Sequence, residues 1–227
     1  MIHLTPATSR KERSPESLLI TCISDTHLLH RDVVVPDGHI LIHAGDICHM
    51  GRSKADLADF NAWLGELPHT LKVVCPGNHD LPLEEDASNR RILTNAVLLI
   101  NEGVEFDGLR LWGSPVIPPI GGAFCVSRPE DRRRIFSRIP DDTDILITHG
   151  PAFGVLDSSP GSHFHAGDRE LLIAVERIRP KLLVSGHIHP GHGVKITDQT
   201  VFVNAALLGE NGGIGWEPIV LRLPRLR

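Results

Sequence analysis

Short apolar runs rich in Val, Ile and Leu recur along the chain and alternate with stretches of helical periodicity. Runs of this length are typical of strands buried in a sheet, and their alternation with helices predicts strands joined by helices over a central sheet. We therefore predict the α/β class. The predicted strands span residues 18–24, 40–44, 71–75, 97–100, 144–148, 181–185, 194–197, 201–204 and 218–223.

Helices are predicted where apolar residues recur every three or four positions after a capping residue. Ser53 and Asp168 are the expected caps of two of them, and the basic run 132–134 in another is interpreted as a solvated helix face. Asp107 and Gly108 predict a hairpin turn. The predicted helices span 53–67, 84–93, 129–137 and 168–179.

The domain organisation follows from length and composition. The chain has 227 residues, of which 41% are hydrophobic and 22% charged, a profile typical of one globular domain. We predict a single domain over 18–227 and a flexible N-terminal arm over 1–17, because that first stretch is polar and basic. The arm lacks the apolar run of a signal peptide, and no later segment approaches the length that spans a bilayer. A soluble, cytoplasmic protein without a membrane partner is expected.

Charge and cysteine usage narrow the class of partner. The net charge of -5 argues against the long basic surface that binds extended nucleic acid, and it favours a small-molecule substrate. The four cysteines form no CxxC pair, so we predict that they are reduced. The sequence leaves the oligomeric state open.

Five predicted strands end in polar motifs, which predicts where the chemistry lies. In chain order the motifs are Asp25-Thr26-His27, Gly45-Asp46, Gly77-Asn78-His79-Asp80, His149-Gly150 and Gly186-His187-Ile188-His189. Ligands of α/β proteins bind beyond the carboxyl ends of the strands. Oxygen and imidazole ligands without a thiolate suit catalytic Mn, Fe or Zn better than a structural zinc site. Each motif alone is common, but their joint order predicts a catalytic metal centre.

The same series of motifs resembles the calcineurin-like metallophosphoesterase superfamily over residues 18–204. A narrower resemblance is to the small metallophosphoesterase-domain (239FB-like) phosphodiesterases. It rests on the contiguous His-Gly-Pro at 149–151, the stretch 168–189 and the Val-Asn-Ala at 203–205. The resemblance implies a sandwich of two mixed β-sheets flanked by helices, in four layers. It also implies a hydrolase that acts on phosphate esters.

The resemblance implies a centre of two divalent metal ions, Mn or an Fe/Mn pair, with Zn, Ni or Co as alternatives. Asp46 would bridge the two ions, and a hydroxide held between them would attack phosphorus. The expected ligands are Asp25, His27 and His189 for one ion, and Asn78, His149 and His187 for the other.

Further roles are expected for residues around the predicted centre. The resemblance implies that His79 protonates the leaving group and that Asp80 orients it, while a purely hydrogen-bonding role stays open for both. The loop 158–167 offers His163 and Phe164 as substrate-binding residues, and an ordinary surface loop is the alternative. Other histidines, including His49, have no motif support.

Several functions are compatible with such a centre. The narrower resemblance implies hydrolysis of small phosphodiesters, with cyclic nucleotides as substrates, and a phosphomonoesterase acting on nucleotides or other small phosphate esters is the alternative. A non-catalytic protein-binding scaffold is disfavoured because every expected ligand position is filled. A protein serine/threonine phosphatase is disfavoured because the chain reads GDICHMGR and GNHD where that group has GDxxDRG-like and GNHE elements.

Overall fold

The computed structural model describes residues 3–4, 17–51, 53–159 and 161–225. These residues form twelve strands in two six-stranded sheets, together with four α-helices. The first sheet has the order β1-β12-β2-β3-β4-β5. Its strands are β1 (His3–Leu4), β2 (Ser17–Ile23), β3 (Ile40–His43), β4 (Leu71–Val74), β5 (Val97–Leu98) and β12 (Ile219–Pro224).

The second sheet has the order β10-β11-β9-β8-β7-β6. Both sheets are mixed, with parallel pairs at their centres and antiparallel pairs towards one or both edges. The predicted hairpin at Asp107 and Gly108 joins β6 to β7. The strands are β6 (Glu102–Phe106), β7 (Leu109–Ser114), β8 (Ile145–Thr148), β9 (Leu182–Ser185), β10 (Gly193–Ile196) and β11 (Val201–Asn204).

The two sheets pack face to face, and helices cover both outer faces. Apolar side chains of both sheets, such as Ile42 and Val184, share the central core. Helix α1 (Lys54–Glu66) packs on the first sheet through residues that include Phe60. Helices α3 (Pro129–Phe136) and α4 (Arg169–Ile178) cover the second sheet. The predicted four-layer α/β sandwich is confirmed.

The predicted caps of α1 and α4 are in place. The Ser53 hydroxyl accepts hydrogen bonds from the N–H groups of Ala55 and Asp56, and the Asp168 carboxylate accepts one from the N–H of Glu170. These contacts satisfy donors that the first turn of a helix leaves unpaired.

The single helix predicted for 84–93 is wrong. The chain forms a short helix, α2 (Leu81–Glu85), followed by a separate 3-10 segment at Ala87–Ile92. Asp86 lies between them in an extended conformation, and its side chain accepts a hydrogen bond from the N–H of Ser88. This local bond competes with helix propagation and starts a new turn.

The basic run on α3 is only partly solvated, so that interpretation is corrected. Arg132 is buried, pairs with Asp168 at 2.8 Å and donates to the carbonyl oxygens of Val126 and Ser127. Arg133 pairs with Glu170 at 2.7 Å, whereas Arg134 is exposed. Periodicity did not reveal this, because the partners come from α4 and from the preceding loop.

The predicted arm and domain boundaries stay a prediction, because most of residues 1–17 lie outside the described residues. Within that stretch, β1 pairs with β12 and Ser17 begins β2. The four cysteines are unpaired, as predicted, and three of them are buried. Among the described residues, no helix has the length and apolar character needed to cross a membrane.

Candidate metal centre

The loops after β2, β3, β4, β8 and β9 meet at one end of the sandwich. The N–H of Asp25 donates to the carbonyl oxygen of Gly45, which joins the loops after β2 and β3. The N–H of Gly186 donates to the carbonyl oxygen of His149, which joins the loops after β9 and β8. The N–H of His187 donates to both carboxylate oxygens of Asp25, at 3.1 and 2.9 Å, and so links the two sheets. Hydrogen bonds between neighbouring loops therefore bring the five strand-end motifs together.

The backbone is strained where these motifs turn. Asp25, His27, Asp46 and His187 all have positive φ angles, of 54°, 42°, 57° and 68°. Non-glycine residues rarely adopt this region, at a cost of about 1 kcal/mol or more each. Such strain persists only where the surrounding structure holds it, and it is concentrated at functional sites.

Two glycines allow the candidate ligands to pack directly against backbone. A Cβ at Gly77 would collide with Oδ1 of Asp46, and one at Gly186 would collide with Oδ2 of Asp25. Both glycines belong to the motifs read from the sequence, and close approach is the physical reason for their presence.

The first group of candidate ligands is Asp25, His27 and His189. One ligand atom from each lies within 4.8 Å of the others. Nε2 of His189 is 3.3 Å from Oδ1 of Asp25, and the rings of His27 and His189 are 5.6 Å apart. Burial would raise the pKa of Asp25, but the hydrogen bond with His189 and the charge of His149 lower it well below its ordinary value.

The second group is Asp46, His149 and His187, whose ligand atoms also lie within 4.8 Å of one another. Nε2 of His149 is 3.3 Å from Oδ1 of Asp46, and 2.9 Å from Oδ1 of Asn78. The Asn78 amide donates to the carbonyl oxygen of Gly121 at 3.3 Å, and this contact turns its oxygen towards the group.

Asp46 contacts both groups. Its Oδ1 is 3.3 Å from Nε2 of His149, and its Oδ2 is 3.6 Å from Nε2 of His27. This is the placement expected of a bridging carboxylate. The structure thus brings the seven residues predicted as ligands into one cluster and in the expected two groups, while metal binding by them stays a prediction.

Two imidazoles form hydrogen bonds that leave their other ring nitrogen available to bind a metal ion. Nδ1 of His27 lies 3.1 Å from the carbonyl oxygen of Cys48, and Nδ1 of His149 lies 2.9 Å from that of Ala44. A neutral imidazole that donates through Nδ1 presents an unprotonated Nε2. Nε2 of His27 is buried and, within the described part of the chain, has no hydrogen-bond partner. Carbonyl acceptors on the far nitrogen are common for metal-binding histidines.

The electrostatics of the second group also favour a cation. Nε2 of His149 faces two oxygens, from Asn78 and Asp46, and no donor lies between them unless the ring is protonated. Burial opposes protonation, yet the charge and hydrogen bond of Asp46 raise the pKa of His149 to about 10. A divalent ion would meet the same demand for positive charge.

His79 lies beside the cluster, where the sequence predicted it. Its Nε2 is 3.9 Å from Oδ2 of Asp46, and its ring is 4.6 Å from that of His27. Its backbone N–H donates to Oδ1 of Asp46 at 2.8 Å. The side chain is 26% exposed, so a substrate has access to it, and burial of the rest lowers its pKa.

The expectation that Asp80 orients His79 is corrected. Both oxygens of Asp80 accept backbone N–H groups, from Asp46 and Gly77 on Oδ2 and from Cys48 on Oδ1. Nδ1 of His79 has no hydrogen-bond partner among the described residues. Asp80 follows His79 in the chain, but the turn points its carboxylate towards the loop after β3. Asp80 therefore joins two loops of the site.

His49 is a residue that the motifs did not identify. It is exposed, three positions after Asp46, and its ring lies 5.5 Å from that of His27 and 6.0 Å from that of His79. Its ligand atom lies within 4.8 Å of those of His27 and His79. In the sequence, only its position three residues after Asp46 could have indicated that His49 lies near the site.

The loop 158–167 is less closely involved. Phe164 is 75% exposed, and no contact of Phe164 or His163 with the cluster is observed among the described residues. His165 is held by Asp157, with Nδ1 at 2.7 Å from Oδ1. Substrate binding by His163 and Phe164 stays a prediction.

Comparison with known families gives a match over most of the chain. The family model described as calcineurin-like phosphoesterase matches residues 18–191. This range contains all the strand-end motifs and the seven clustered residues.

Two relatives align over nearly the whole chain. The UPF0046 protein K07C11.7 of Caenorhabditis elegans is 37% identical, over 92% of this chain and 76% of the relative. The metallophosphoesterase domain-containing protein 1 of Homo sapiens is 34% identical, over 95% of this chain and 74% of the relative.

A solved structure shares the fold. The crystal structure of TT1561 of Thermus thermophilus superposes with a TM-score of 0.59 at 15% identity, over 82% of this chain and 88% of that one. At this identity the likeness concerns the architecture alone.

Proposed function

Since the chain belongs to the calcineurin-like phosphoesterase family, we propose that it hydrolyses small phosphodiesters at a centre of two divalent metal ions. Cyclic nucleotides are the proposed substrate class. The family relationship confirms the resemblance inferred from the strand-end motifs.

The observation that carries this proposal is the position of Asp46. Its two oxygens face different imidazoles, His149 at 3.3 Å and His27 at 3.6 Å, and each imidazole belongs to a separate group of candidate ligands. Two adjacent groups that share one carboxylate favour a dinuclear centre over a single ion. The donors are carboxylate, amide and imidazole, a set that suits Mn and Fe and also accommodates Zn.

The chain's own residues prepare this centre for phosphate chemistry. When bound, two divalent ions supply Lewis acidity, which lowers the pKa of a water molecule and neutralises charge on the phosphoryl oxygens. Asp25, Asp46 and Asn78 present oxygen donors, and the hydrogen bonds of His27 and His149 to backbone carbonyls keep their Nε2 atoms available. The buried carboxylates Asp25 and Asp46 would supply negative charge to hold the ions.

His79 is the proposed proton donor to the leaving oxygen. Its partly exposed ring projects beside Asp46, and its backbone is anchored to the same carboxylate. An imidazole is suited to this step because an alkoxide leaving group is far more basic than imidazole. The ring of the exposed His49 lies 6.0 Å from that of His79.

A substrate panel on protein first stripped of metal and then supplied with Mn tests the proposal. The panel compares 2′,3′-cyclic nucleotides, 3′,5′-cyclic nucleotides, mononucleotides and bis-aryl phosphates. The highest kcat/KM with a cyclic nucleotide, lost on chelation, supports the proposal. Preference for mononucleotides would replace it with a phosphomonoesterase, and no turnover with any divalent metal would favour a binding scaffold.

A further inference from the structure

A cavity of about 500 Å³ opens directly beside His189. His189 lines this cavity, and its Nε2 lies 3.3 Å from Oδ1 of Asp25, so the cavity and the candidate metal centre share this residue. A volume of this size lies within the range of pockets that hold small organic molecules. The cavity is lined by His189, Pro190, Leu208, Gly209, Glu210, Asn211, Gly215 and Trp216.

Trp216 lines this cavity. One face of the indole stacks on His192, with ring centres 5.2 Å apart and planes inclined by 6°. His192 is itself held, since its Nδ1 lies 2.9 Å from the carbonyl oxygen of Ala206. Trp216 nevertheless remains 45% exposed. An indole that is supported on one face and open on the other is suited to stacking with a planar ring.

The segment 207–216 that carries Trp216 is preorganised. The N–H of Gly215 donates to the carbonyl oxygen of Leu207 at 2.9 Å, and the N–H of Gly209 donates to that of Gly213 at 2.8 Å. A Cβ at Gly215 would lie 2.7 Å from the Cα of Gly209, so this close pairing requires glycine. The N–H of Leu207 donates to the carbonyl oxygen of Ser24, which precedes Asp25. The cavity wall and the candidate metal centre are therefore connected through backbone.

The polar residues of the cavity indicate which part of a substrate it accepts. Glu210 contributes an exposed carboxylate, which would repel a further phosphate group, and Pro190 and Leu208 contribute apolar surface. These walls therefore favour an uncharged, largely apolar group.

We propose that this cavity binds a planar aromatic group of the phosphodiester substrate against Trp216 while the phosphoryl group lies at the candidate metal centre. The inference rests on the proposed function and narrows its substrates to esters with an aromatic ring. A nucleobase and an aryl ester share this chemistry. Stacking on an aromatic side chain is worth about 1–3 kcal/mol per base, or roughly 5- to 150-fold in affinity.

The kinetic test compares Trp216→Ala and Trp216→Phe with the unmodified chain. The substrates are a 3′,5′-cyclic nucleotide, bis(4-nitrophenyl) phosphate and the non-aromatic diester glycerophosphoethanolamine, each with Mn. Trp216→Ala is expected to raise KM for the cyclic nucleotide at least about 5-fold. KM for glycerophosphoethanolamine should stay unchanged, and Trp216→Phe should retain most of the affinity. If KM for bis(4-nitrophenyl) phosphate also rises, the site accepts aromatic esters in general. An equal rise in KM for all three substrates overturns the proposal.

A binding test is independent of activity. Adenosine is titrated into the metal-free full chain, with ribose as the control ligand, and tryptophan fluorescence is measured. Adenosine is expected to quench the emission of the unmodified chain and of the matched variant Trp112→Phe, but not that of Trp216→Phe. Unchanged quenching in Trp216→Phe overturns the proposal. Failure of all substrates to be hydrolysed, with quenching that depends on Trp216, would reject the proposed function and leave the aromatic site standing.

Discussion

At the scale of single residues, the candidate centre depends on which atom each side chain presents. His27 and His149 each use Nδ1 for a backbone carbonyl, so Nε2 is the atom that faces the cluster. Asp46 divides its two oxygens between the two groups. Contacts with neighbouring residues determine which atom each side chain directs at the cluster. Substitutions that replace one polar atom and keep the shape of the side chain therefore test these roles directly.

Asp46→Asn should abolish metal-dependent turnover, because one of the two carboxylate oxygens is replaced by an NH2 group, which does not bind a cation. The decrease in kcat should be larger than the roughly 10- to 100-fold decrease that follows removal of a residue hydrogen-bonded to a metal ligand. Metal content and kcat are the measurements. The matched control, Asp198→Asn, changes an exposed carboxylate in another part of the chain and should leave both unchanged. Full Mn-dependent turnover of Asp46→Asn would exclude a bridging role.

His79→Ala should slow hydrolysis selectively, because a proton donor matters most for a basic leaving group. We expect a loss of about 10²- to 10⁴-fold with cyclic nucleotides and a much smaller one with bis(4-nitrophenyl) phosphate. Metal content should be unaffected. His49→Ala removes a neighbouring imidazole and serves as the control, since it should not change this dependence on leaving group. Equal slowing of both substrates by His79→Ala would remove the assignment.

Asp80→Asn should destabilise the fold, because the buried carboxylate accepts three backbone N–H groups and an amide would oppose at least one of them. The expected cost is about 2–3 kcal/mol in the free energy of unfolding. Urea unfolding of the metal-free protein measures it. Asp86→Asn is the control, because Asp86 is exposed and an amide oxygen can still accept from Ser88. An unchanged unfolding midpoint for Asp80→Asn would show that these bonds contribute little.

At the scale of elements, each helix and strand is placed by contacts with its neighbours. Helix α3 is tied to α4 by the buried pair Arg132 and Asp168, and the same Asp168 caps α4. The cap was predicted from the sequence, but its second role needed α3 to be packed alongside. One carboxylate thus fixes both the start of a helix and its neighbour's position.

Arg132→Met should weaken this helix pair strongly, because Asp168 is then buried without its cation. Loss of one partner of a buried pair costs about 3–5 kcal/mol. Arg134→Met, two positions along on the exposed side of the same helix, should change stability by no more than about 0.5 kcal/mol. Thermal and urea unfolding distinguish the two variants. Equal, small effects would show that the buried pair contributes no more than an exposed one.

At the scale of the whole molecule, stability should depend on pH through a buried histidine that belongs to neither group of candidate ligands. His69 is 3% exposed and its Nε2 lies 3.1 Å from the carbonyl oxygen of Pro36. Burial lowers the pKa of His69 to about 4. In the unfolded chain a histidine has a pKa of about 6.5, so between these values the unfolded state binds more protons.

His69→Gln should remove this contribution, because glutamine can donate to Pro36 without titrating. Relative to the variant, the unmodified chain should lose about 2–3 kcal/mol of unfolding free energy as the pH falls from about 7 to about 4, with little further loss below that. The difference between the two unfolding curves, measured in chelator, cancels the titration of all other groups. Parallel curves over this range would contradict the assignment.

The sequence by itself predicted the class of fold and the seven candidate ligands that cluster in the structure. Both are local properties: apolar runs specify buried strands, and Asp25, Asp46 and His149 stand directly after such runs. The caps at Ser53 and Asp168 are equally local, since they depend on residues two or three positions away.

Only the tertiary structure decided which side chains meet across elements. It turned Asp80 away from His79, buried Arg132 against Asp168, brought His49 beside His27 and His79, and placed Trp216 over a cavity beside His189. These contacts join residues distant in sequence or depend on the direction of a tight turn. Periodicity and motif spacing carry no information about either, because both depend on how helices, strands and loops pack together.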